Sequence, residues 1–391
     1  MVTFVGDGVS SLDRVRVRKG EVIIGRPLRW DVYDESGQLL LSKGYIVSNE
    51  RQRRRLLEEG WRARGEMPSV IPDPEGSAVD DEPSIGGNPF VTLDQLTLRL
   101  EGILGMIQRG KADVGPQRRL LKLGKIIQVL CKHEADASLG AAHLHHETPY
   151  PYRHSVHTAL LCELVARRLG WQPERRLSLV AAALSSNVAM TELQEKLVGQ
   201  AEPLTDEQWD AIQAHPQRGY EMLQAAGVTD PLWLRAVLQH HECLNGRGYP
   251  AGVRGDDVIP EARLLGLADR YHAMVTGRSY RNGMMVKDAL RRIFLDVGQE
   301  LGSRLAQVFI KELGVYPPGS VVRLGSGEIA VVTRRKGVLG GPMLAAIASR
   351  QGEYYAQPLY RDCGDSEEYA IKGICPFSSP LPFGVSRLWG Y

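Results

Sequence analysis

All ten histidines of this 391-residue chain lie between His133 and His272. Two of them are adjacent and open the run His240–Pro250, which reads HHECLNGRGYP. Histidine is the most common neutral metal ligand in proteins and the usual proton carrier near neutral pH. Adjacent imidazoles ahead of a glycine-rich loop are costly to bury unless something ligates them. The clustering therefore predicts that the chemistry of this chain is concentrated in its central segment.

Further candidate ligands are spread along the same segment. His154 falls near the start of a predicted helix, and His215 is predicted to close the helix that begins at Asp206. Asp269 lies inside an apolar predicted helix, where an inward-facing carboxylate must be paired or bound to a metal. A single histidine is more often an ordinary core or surface residue, but the set as a whole indicates one metal site. Its predicted ligands are His154, His215, His240, His241 and Asp269.

The composition is that of an ordinary globular protein, with 43% hydrophobic and 24% charged residues. The net charge of +2 argues neither for nor against a nucleic-acid partner, and none is expected. No apolar run approaches the roughly 20 residues of a membrane helix, and the N-terminus lacks a signal-peptide pattern. Five cysteines without a CxxC pair are expected to be reduced thiols. A cytoplasmic protein without a membrane partner is therefore expected.

Changes in composition and periodicity divide the chain into four predicted parts. Residues 1–66 predict a small β-rich module with one short helix, and residues 67–89 form a linker rich in Pro, Gly, Ser and acidic residues. Residues 90–313 keep helical spacing throughout, and residues 314–391 return to strand-like patterns that begin with a hairpin. We expect a mainly α fold, a helical bundle flanked by small N- and C-terminal β modules.

Several local signals fix individual elements. The basic run after Asn49 predicts a helix from Glu50 to Glu59 that stops at Gly60, with a solvated basic face favoured over a phosphate-binding one. Thr205 with Gln208 predicts a capping box at the start of a helix. Pro260 is expected at a first helical position.

The run from His154 to Arg281 resembles the HD-GYP branch of the HD phosphohydrolase superfamily. Its signature loop, His-His-Glu-x-x-Asp/Asn-Gly-x-Gly-Tyr-Pro, is matched by His240–Pro250. The resemblance implies an HD-domain-like helical bundle. It also implies hydrolysis of cyclic di-GMP at a centre of two or three metal ions. Further matching segments are His215–Gly219, Leu267–Tyr271 and Gly277–Arg281.

The chain departs from the family pattern at the residues that give the family its name. Ser185 stands in place of the histidine ligand, and Ser186 in place of the aspartate that bridges two metal ions. Ala189 replaces a lysine that usually faces the phosphate. His272 replaces an acidic residue, and Tyr150 stands where members with three metals carry a glutamate. No catalytic group of the family's His-Asp-Lys set is therefore expected to be intact.

These losses have a direct consequence for metal binding. Two-metal hydrolysis needs ions held roughly 3.5–4 Å apart, and here both a bridging and a terminal ligand are gone. A full two-metal centre is not expected, whereas His215, His240 and His241 could still hold one divalent ion, iron or manganese. Three other histidines could supply a substitute ligand, although no family pattern supports them: His145, His146 and His157.

The leading hypothesis is a catalytically inactive HD-GYP-like protein that acts as a sensor, adaptor or scaffold in cyclic di-GMP signalling. An active metal-dependent phosphodiesterase with an altered site is the alternative, and a helical module whose histidines are relics is a third. Cyclic di-GMP or a related cyclic dinucleotide is the expected ligand. Candidate phosphate-binding residues are Arg278, Tyr280 and Arg281, although these arginines could equally form salt bridges at a helix end.

The resemblance also implies protein partners. In the family the signature loop contacts GGDEF-domain proteins, and relatives often form homodimers through helices ahead of the catalytic core. Residues 93–107 are amphipathic enough to allow such pairing. The candidate interaction loop consists of Asn245, Gly246, Gly248, Tyr249 and Pro250.

Overall fold

A computed structural model of the chain separates it into two compact units, Met1–Glu82 and Pro83–Tyr391. The residues that it describes are 14–17, 22, 28, 31–35, 39–41, 50–63, 88–110, 115–144, 148–276, 283–336, 340–375 and 381–391. No helix in this described part is long and apolar enough to cross a membrane.

The N-terminal unit is a small antiparallel sheet with one helix. The predicted helix α1 (Glu50–Glu59) is confirmed, and it is followed by Gly60, where a Cβ would lie 2.3 Å from the carbonyl oxygen of Leu56. The strands occur in the order β1-β4-β2-β3, and their bounds are β1 Arg14–Arg16, β2 Val32–Tyr33, β3 Leu39–Leu41 and β4 Trp61–Ala63. Among the described residues of this unit, the buried core consists of Val17, Val22, Leu28, Val32 and Leu56.

The second unit is built on a helical bundle, as the sequence predicts. Its long helices begin with a proline in the first turn in six cases, a position where the missing N–H would have no helical partner. The predicted capping box of Thr205 and Gln208 is confirmed at the start of α8. The helices are α2 Pro89–Gln108, α3 Pro116–His133, α4 Ala135–Leu144, α5 Tyr150–Arg168, α6 Pro173–Ser185, α7 Thr191–Gly199, α8 Asp206–Ala225, α9 Pro231–Gln239, α10 Pro260–Val275, α11 Val286–Arg292, α12 Gly298–Leu301 and α13 Ser303–Leu313.

Helix α5 lies at the centre of the bundle. Its residues are buried without interruption from Arg153 to Ala166, and it packs against α2, α3, α6 and α10. A helix that is enclosed on all sides places polar side chains such as His154 and His157 in the interior, where each needs a partner. Helix α10 runs beside it and carries Asp269 and His272.

One sequence-based expectation needs correction. His215 does not close a helix, because α8 continues through Pro216 to Ala225. Proline removes one backbone N–H, and the carbonyl oxygen of Ile212, which that group would have bonded, instead lies 2.6 Å from Nδ1 of His215. The apolar face of α2 packs in the chain's own core, and homodimer formation stays a prediction; this face includes Leu93, Leu96, Leu100, Ile103, Leu104 and Ile107.

The C-terminal region forms a five-stranded antiparallel sheet in the order β8-β7-β6-β5-β9. The predicted hairpin is confirmed, with Val322 opposite Ala330 and a turn that places Gly327 at a φ of +87°. Arg335 ties the sheet to the bundle through Asp136 of α4 and Glu312 of α13. The fold class is confirmed: a mainly helical protein with small sheets in its N- and C-terminal regions. The strands are β5 Val321–Leu324, β6 Ile329–Arg334, β7 Met343–Ala348, β8 Tyr354–Asp362 and β9 Ile371–Ile374.

Candidate metal centre

Three of the five predicted ligands form one compact group, the histidine triad of His215, His240 and His241. His215 projects from the middle of α8, and the other two residues directly follow the end of α9. One ring nitrogen from each residue lies within 4.8 Å of those of the other two. Within the described part of the chain, this is the group of His, Cys, Asp or Glu side chains best arranged to hold an ion.

Hydrogen bonds determine which nitrogens of the triad are available as ligands. Nδ1 of His215 lies 2.6 Å from the carbonyl oxygen of Ile212, and Nδ1 of His240 lies 2.6 Å from that of Val237. Because a carbonyl oxygen can only accept, both Nδ1 atoms must carry a proton. Burial and the neighbouring His240 lower the pKa of His215 to about 3, and burial also lowers the pKa of His240. Both rings are therefore neutral near pH 7, and their Nε2 atoms are unprotonated.

The two unprotonated Nε2 atoms face each other at 3.2 Å. Two acceptors at hydrogen-bond distance without a proton between them repel each other, and a cation removes that repulsion. Burial lowers the pKa of His241 well below its ordinary value as well, so the third ring is also in the neutral, ligating form. Three neutral imidazoles with an open fourth position are a known donor set for one divalent ion. The residues of the triad therefore fit one metal ion.

The signature loop is folded back over the triad. The ring of Tyr249 stacks on that of His241, with centroids 4.7 Å apart and an angle of 24° between the planes. The buried carboxylate of Glu242 accepts hydrogen bonds from the backbone N–H groups of Ala251 at 2.7 Å and Val253 at 3.1 Å. At Gly248 a Cβ would lie 2.4 Å from the carbonyl oxygen of His241. Glycine is thus required at this position for close backbone packing.

The loop also presents residues to the surface. Asn245, Arg247 and Pro250 are exposed, and the side chain of Asn245 accepts a hydrogen bond from the backbone N–H of Arg247. Gly246, with a φ of +73°, and Tyr249 are partly buried. The outward residues of the predicted interaction loop are therefore accessible, whereas Tyr249 faces the triad.

A second glycine controls how closely α9 and α10 approach. A Cβ at Gly266 of α10 would lie 2.3 Å from the carbonyl oxygen of His240. The missing side chain lets α10 pass directly against the end of α9. Asp269 follows Gly266 by one turn, so this contact also determines where the carboxylate lies relative to the triad.

The other two predicted ligands, His154 and Asp269, bond to each other. Nε2 of His154 lies 2.7 Å from Oδ1 of Asp269. Burial alone would raise the pKa of the Asp269 carboxyl, but the attraction of His154 and its hydrogen bond lower that pKa well below the ordinary value, and His241 and His240 act in the same direction. Asp269 is therefore a buried carboxylate that acts on the triad electrostatically, and its hydrogen bond is to His154.

The serines at the family's His-Asp positions have interior partners. The Ser185 hydroxyl donates to the carbonyl oxygen of Ala181 at 2.8 Å and accepts from the indole N–H of Trp233 at 2.8 Å. The Ser186 hydroxyl donates to the carbonyl oxygen of Ala183 at 3.3 Å. Both serines are buried, and a neutral hydroxyl is a weak metal ligand. The structure thus shows core contacts where the family pattern has ligands.

The remaining candidates are placed as follows. Tyr150 lies in the first turn of α5, with its hydroxyl 3.4 Å from Nδ1 of His154. His157 is bonded to His272, not to the triad. Ala189 lies in a 3₁₀ turn between α6 and α7. Several predicted residues lie outside the described part of the chain: Arg278, Tyr280 and Arg281 among the phosphate-binding candidates, and His145 and His146 among the substitute ligands.

Known proteins resemble this chain in sequence and in fold. Residues 140–305 match the family model described as HD domain. The Pseudomonas aeruginosa protein named cyclic di-GMP phosphodiesterase PA4108 is 27% identical over 244 residues, which cover 59% of each chain. The Borreliella burgdorferi protein named cyclic di-GMP phosphodiesterase PdeB is 24% identical over 183 residues, 47% of this chain and 48% of that one. The chain therefore matches only about half to six tenths of the length of these relatives.

A solved structure has the same fold. Bd1817, described as an HDG"Y"P protein from Bdellovibrio bacteriovorus, superposes with a TM-score of 0.52 and 17% identity, over 76% of this chain and 99% of that one. This structure shows the shared fold, while the HD domain match over residues 140–305 and the named relatives support an HD-GYP-like domain in this chain.

Proposed function

We propose that this chain is a catalytically inactive HD-GYP-like protein that binds one divalent ion and serves as a sensor, adaptor or scaffold in cyclic di-GMP signalling. The observation that carries the proposal is the contrast between the two halves of the site. The triad has two unprotonated Nε2 atoms 3.2 Å apart, which favours an ion there. At positions 185 and 186, by contrast, the hydroxyls are engaged by Ala181, Trp233 and Ala183.

Charge supports the loss of hydrolysis. Two divalent ions bring four positive charges, and a bridging carboxylate would normally offset part of them. Asp269 is the surviving carboxylate of the family set, and its Oδ1 already bonds His154. The buried carboxylate of Glu242 is occupied by the N–H groups of the loop. The side chains at the family positions therefore do not fit a second ion.

A single ion at the triad would serve recognition. When bound, it supplies a positive, Lewis-acidic centre for a phosphate oxygen. The chain's own residues would hold it through Nε2 of His215 and His240 and through the ring of His241. The ring of Tyr249 stacks on one face of the ring of His241. A cyclic dinucleotide, which carries two phosphodiesters, has the chemistry that such a site would bind.

Protein partners would use the exposed part of the signature loop. Asn245, Arg247 and Pro250 are accessible and lie within a short chain distance of the triad. A GGDEF-domain protein is the partner that the family resemblance suggests. Contacts at this loop would place the partner next to the bound nucleotide, which is the arrangement that an adaptor needs.

The alternative function is that of an active phosphodiesterase with an altered metal site. The specific observation in its favour is that the named relatives carry this activity in their names. It requires that His154 and Asp269 release each other and join the triad as ligands. In the structure these two side chains bond to each other, at 2.7 Å.

Equilibrium dialysis with cyclic di-GMP tests the proposed ligand. The full chain loaded with manganese(II) is expected to bind the nucleotide saturably, and removal of the metal with EDTA should weaken binding about tenfold or more. His133→Ala, which changes an exposed histidine at the end of α3, is the matched control and should bind as the unmodified protein does. Folded, metal-loaded protein that shows no saturable binding would refute the proposal.

A further inference from the structure

We infer that a hydrogen-bonded chain of three histidines takes the place of the second metal ion of the family's centre and holds Asp269 in position without that ion. This hydrogen-bonded series of side chains, the histidine chain, runs from Asp269 through His154 and His272 to His157. The inference deepens the proposed function and rests on its single-ion site. It assigns a positioning role to His157 and His272, neither of which is among the predicted ligands.

The histidine chain is continuous and buried. Oδ1 of Asp269 lies 2.7 Å from Nε2 of His154, and Nδ1 of His154 lies 2.9 Å from Nδ1 of His272. Nε2 of His272 lies 3.1 Å from Nδ1 of His157. The exposed fractions of the four residues are between 1% and 8%, so water does not supply these hydrogen bonds.

The spacing of the four residues explains how two helices build this chain. His154 and His157 stand three apart on α5, and Asp269 and His272 stand three apart on α10. Residues three apart share one face of a helix. Because α5 packs against α10, the two pairs face each other and alternate along the interface.

Every hydrogen bond of the histidine chain can have one donor and one acceptor without a metal ion. The Asp269 carboxylate can only accept, so Nε2 of His154 must carry a proton. If His154 is neutral, His272 donates to it from Nδ1 and His157 donates to His272. If His154 is charged, the two outer hydrogen bonds simply reverse direction. Either arrangement gives each contact one donor and one acceptor.

Both arrangements place a proton on Nε2 of His154, which a metal ion would have to displace before it could bind there. A ligating imidazole nitrogen must be unprotonated, and this one holds a proton bonded to Asp269. The geometry also differs from that of the triad, because His272 contacts its two neighbours through opposite ring nitrogens. The three rings therefore do not converge on one point, and the histidine chain offers hydrogen bonds where the triad offers an ion site.

The substitutions in this sequence fit such a replacement. In the family pattern position 272 is acidic, and an acid one turn from Asp269 adds negative charge for metal ions to offset. His272 does not carry that negative charge, and it can donate or accept the hydrogen bonds to His154 and His157. The loss of the His-Asp pair at positions 185 and 186 and the gain of His272 are thus two parts of one change, from metal ligation to imidazole hydrogen bonding around Asp269.

Nitrogen NMR of the full chain labelled with ¹⁵N-histidine tests the inference. Spectra that connect ring nitrogens to ring carbon-bound protons report which nitrogen carries a proton. They would be recorded without metal and with ¹¹³Cd²⁺, and the signals would be assigned from single His→Gln variants. We expect Nε2 of His154 to stay protonated in both spectra, while Nε2 of His215 and His240 couples to ¹¹³Cd.

The outcomes separate this inference from the proposed function. Loss of the proton on Nε2 of His154 with coupling to ¹¹³Cd would overturn the inference, because it would make His154 a ligand. An unprotonated Nε2 in the metal-free protein would overturn it equally. If His154 stays protonated and the triad shows no coupling, the single-ion site fails while the metal-free role of the histidine chain is supported.

Discussion

Replacing His240 with alanine is expected to remove the divalent ion from the protein. His240 supplies one of two Nε2 atoms that face each other at 3.2 Å, and the variant leaves only His215 and His241 of the triad. Loss of groups that merely support a ligand commonly weakens metal binding 10–100-fold, so loss of a ligand itself should weaken it about 100-fold or more. Metal content measured by plasma mass spectrometry after dialysis against metal-free buffer would report this loss.

The control for this experiment is again His133→Ala, which removes an imidazole of the same size from an exposed position. It should retain the metal content of the unmodified protein. Retention of the ion with unchanged affinity by folded His240→Ala would show that the triad is not the site. The relic hypothesis, in which the histidines have no remaining role, predicts that His215→Ala or His241→Ala changes neither the metal content nor the stability by more than an ordinary surface substitution, within about 0.5 kcal/mol.

Replacing Ser185 with alanine is expected to lower the free energy of unfolding by about 1–3 kcal/mol. The Ser185 hydroxyl accepts the indole N–H of Trp233, and neither side chain is exposed to solvent. Alanine would leave that N–H buried without its acceptor, and an unmade hydrogen bond of this kind costs more than the bond itself contributes. Urea unfolding of the metal-free protein, monitored by circular dichroism, measures the change.

Ser186→Ala provides a matched control one residue away. Its hydroxyl donates to the carbonyl oxygen of Ala183, three residues earlier, at 3.3 Å. Alanine removes this long hydrogen bond without leaving a buried N–H unpaired, so the change in unfolding free energy should stay within about 0.5 kcal/mol. Equal, small effects at both positions would mean that the hydrogen bond between Ser185 and Trp233 does not stabilise the protein.

Much of the fold follows from local sequence signals. Pro260 at a first helical position, the Thr205–Gln208 capping box and the Glu50–Glu59 helix all depend on residues close in sequence, and the structure confirms them. The strands Arg14–Arg16 and Trp61–Ala63 were not anticipated. Each has only three residues, too few for a periodic pattern, and they pair with each other across more than 40 residues of chain.

The error at Pro216 has a specific cause. Proline usually ends a helix because it leaves a carbonyl without a partner. Here the side chain of His215 occupies that carbonyl, which compensates for the missing N–H. The same contact determines the tautomer of His215. The residue that allows the helix to continue through Pro216 is therefore also a proposed ligand.

The candidate site was predicted in part. The adjacency of His240 and His241 and the family pattern bring them together with His215, and the structure places all three in one group. His154 and Asp269 bond to each other and do not join this group. That pairing depends on how α5 and α10 are aligned, which residues close in sequence do not indicate. The three-residue spacing of His154 with His157 and of Asp269 with His272 was visible in the sequence, but its meaning requires the two helices to face each other.

An anaerobic turnover assay tests the central claim most directly. The full chain would be loaded with iron(II) or manganese(II), given cyclic di-GMP, and followed by counting linear and mononucleotide products over time. The proposed inactive, single-ion site predicts no product above that of the metal ion in buffer, from protein that still binds the nucleotide. Turnover that disappears in Asp269→Ala would contradict it and would establish an active phosphodiesterase with an altered metal centre.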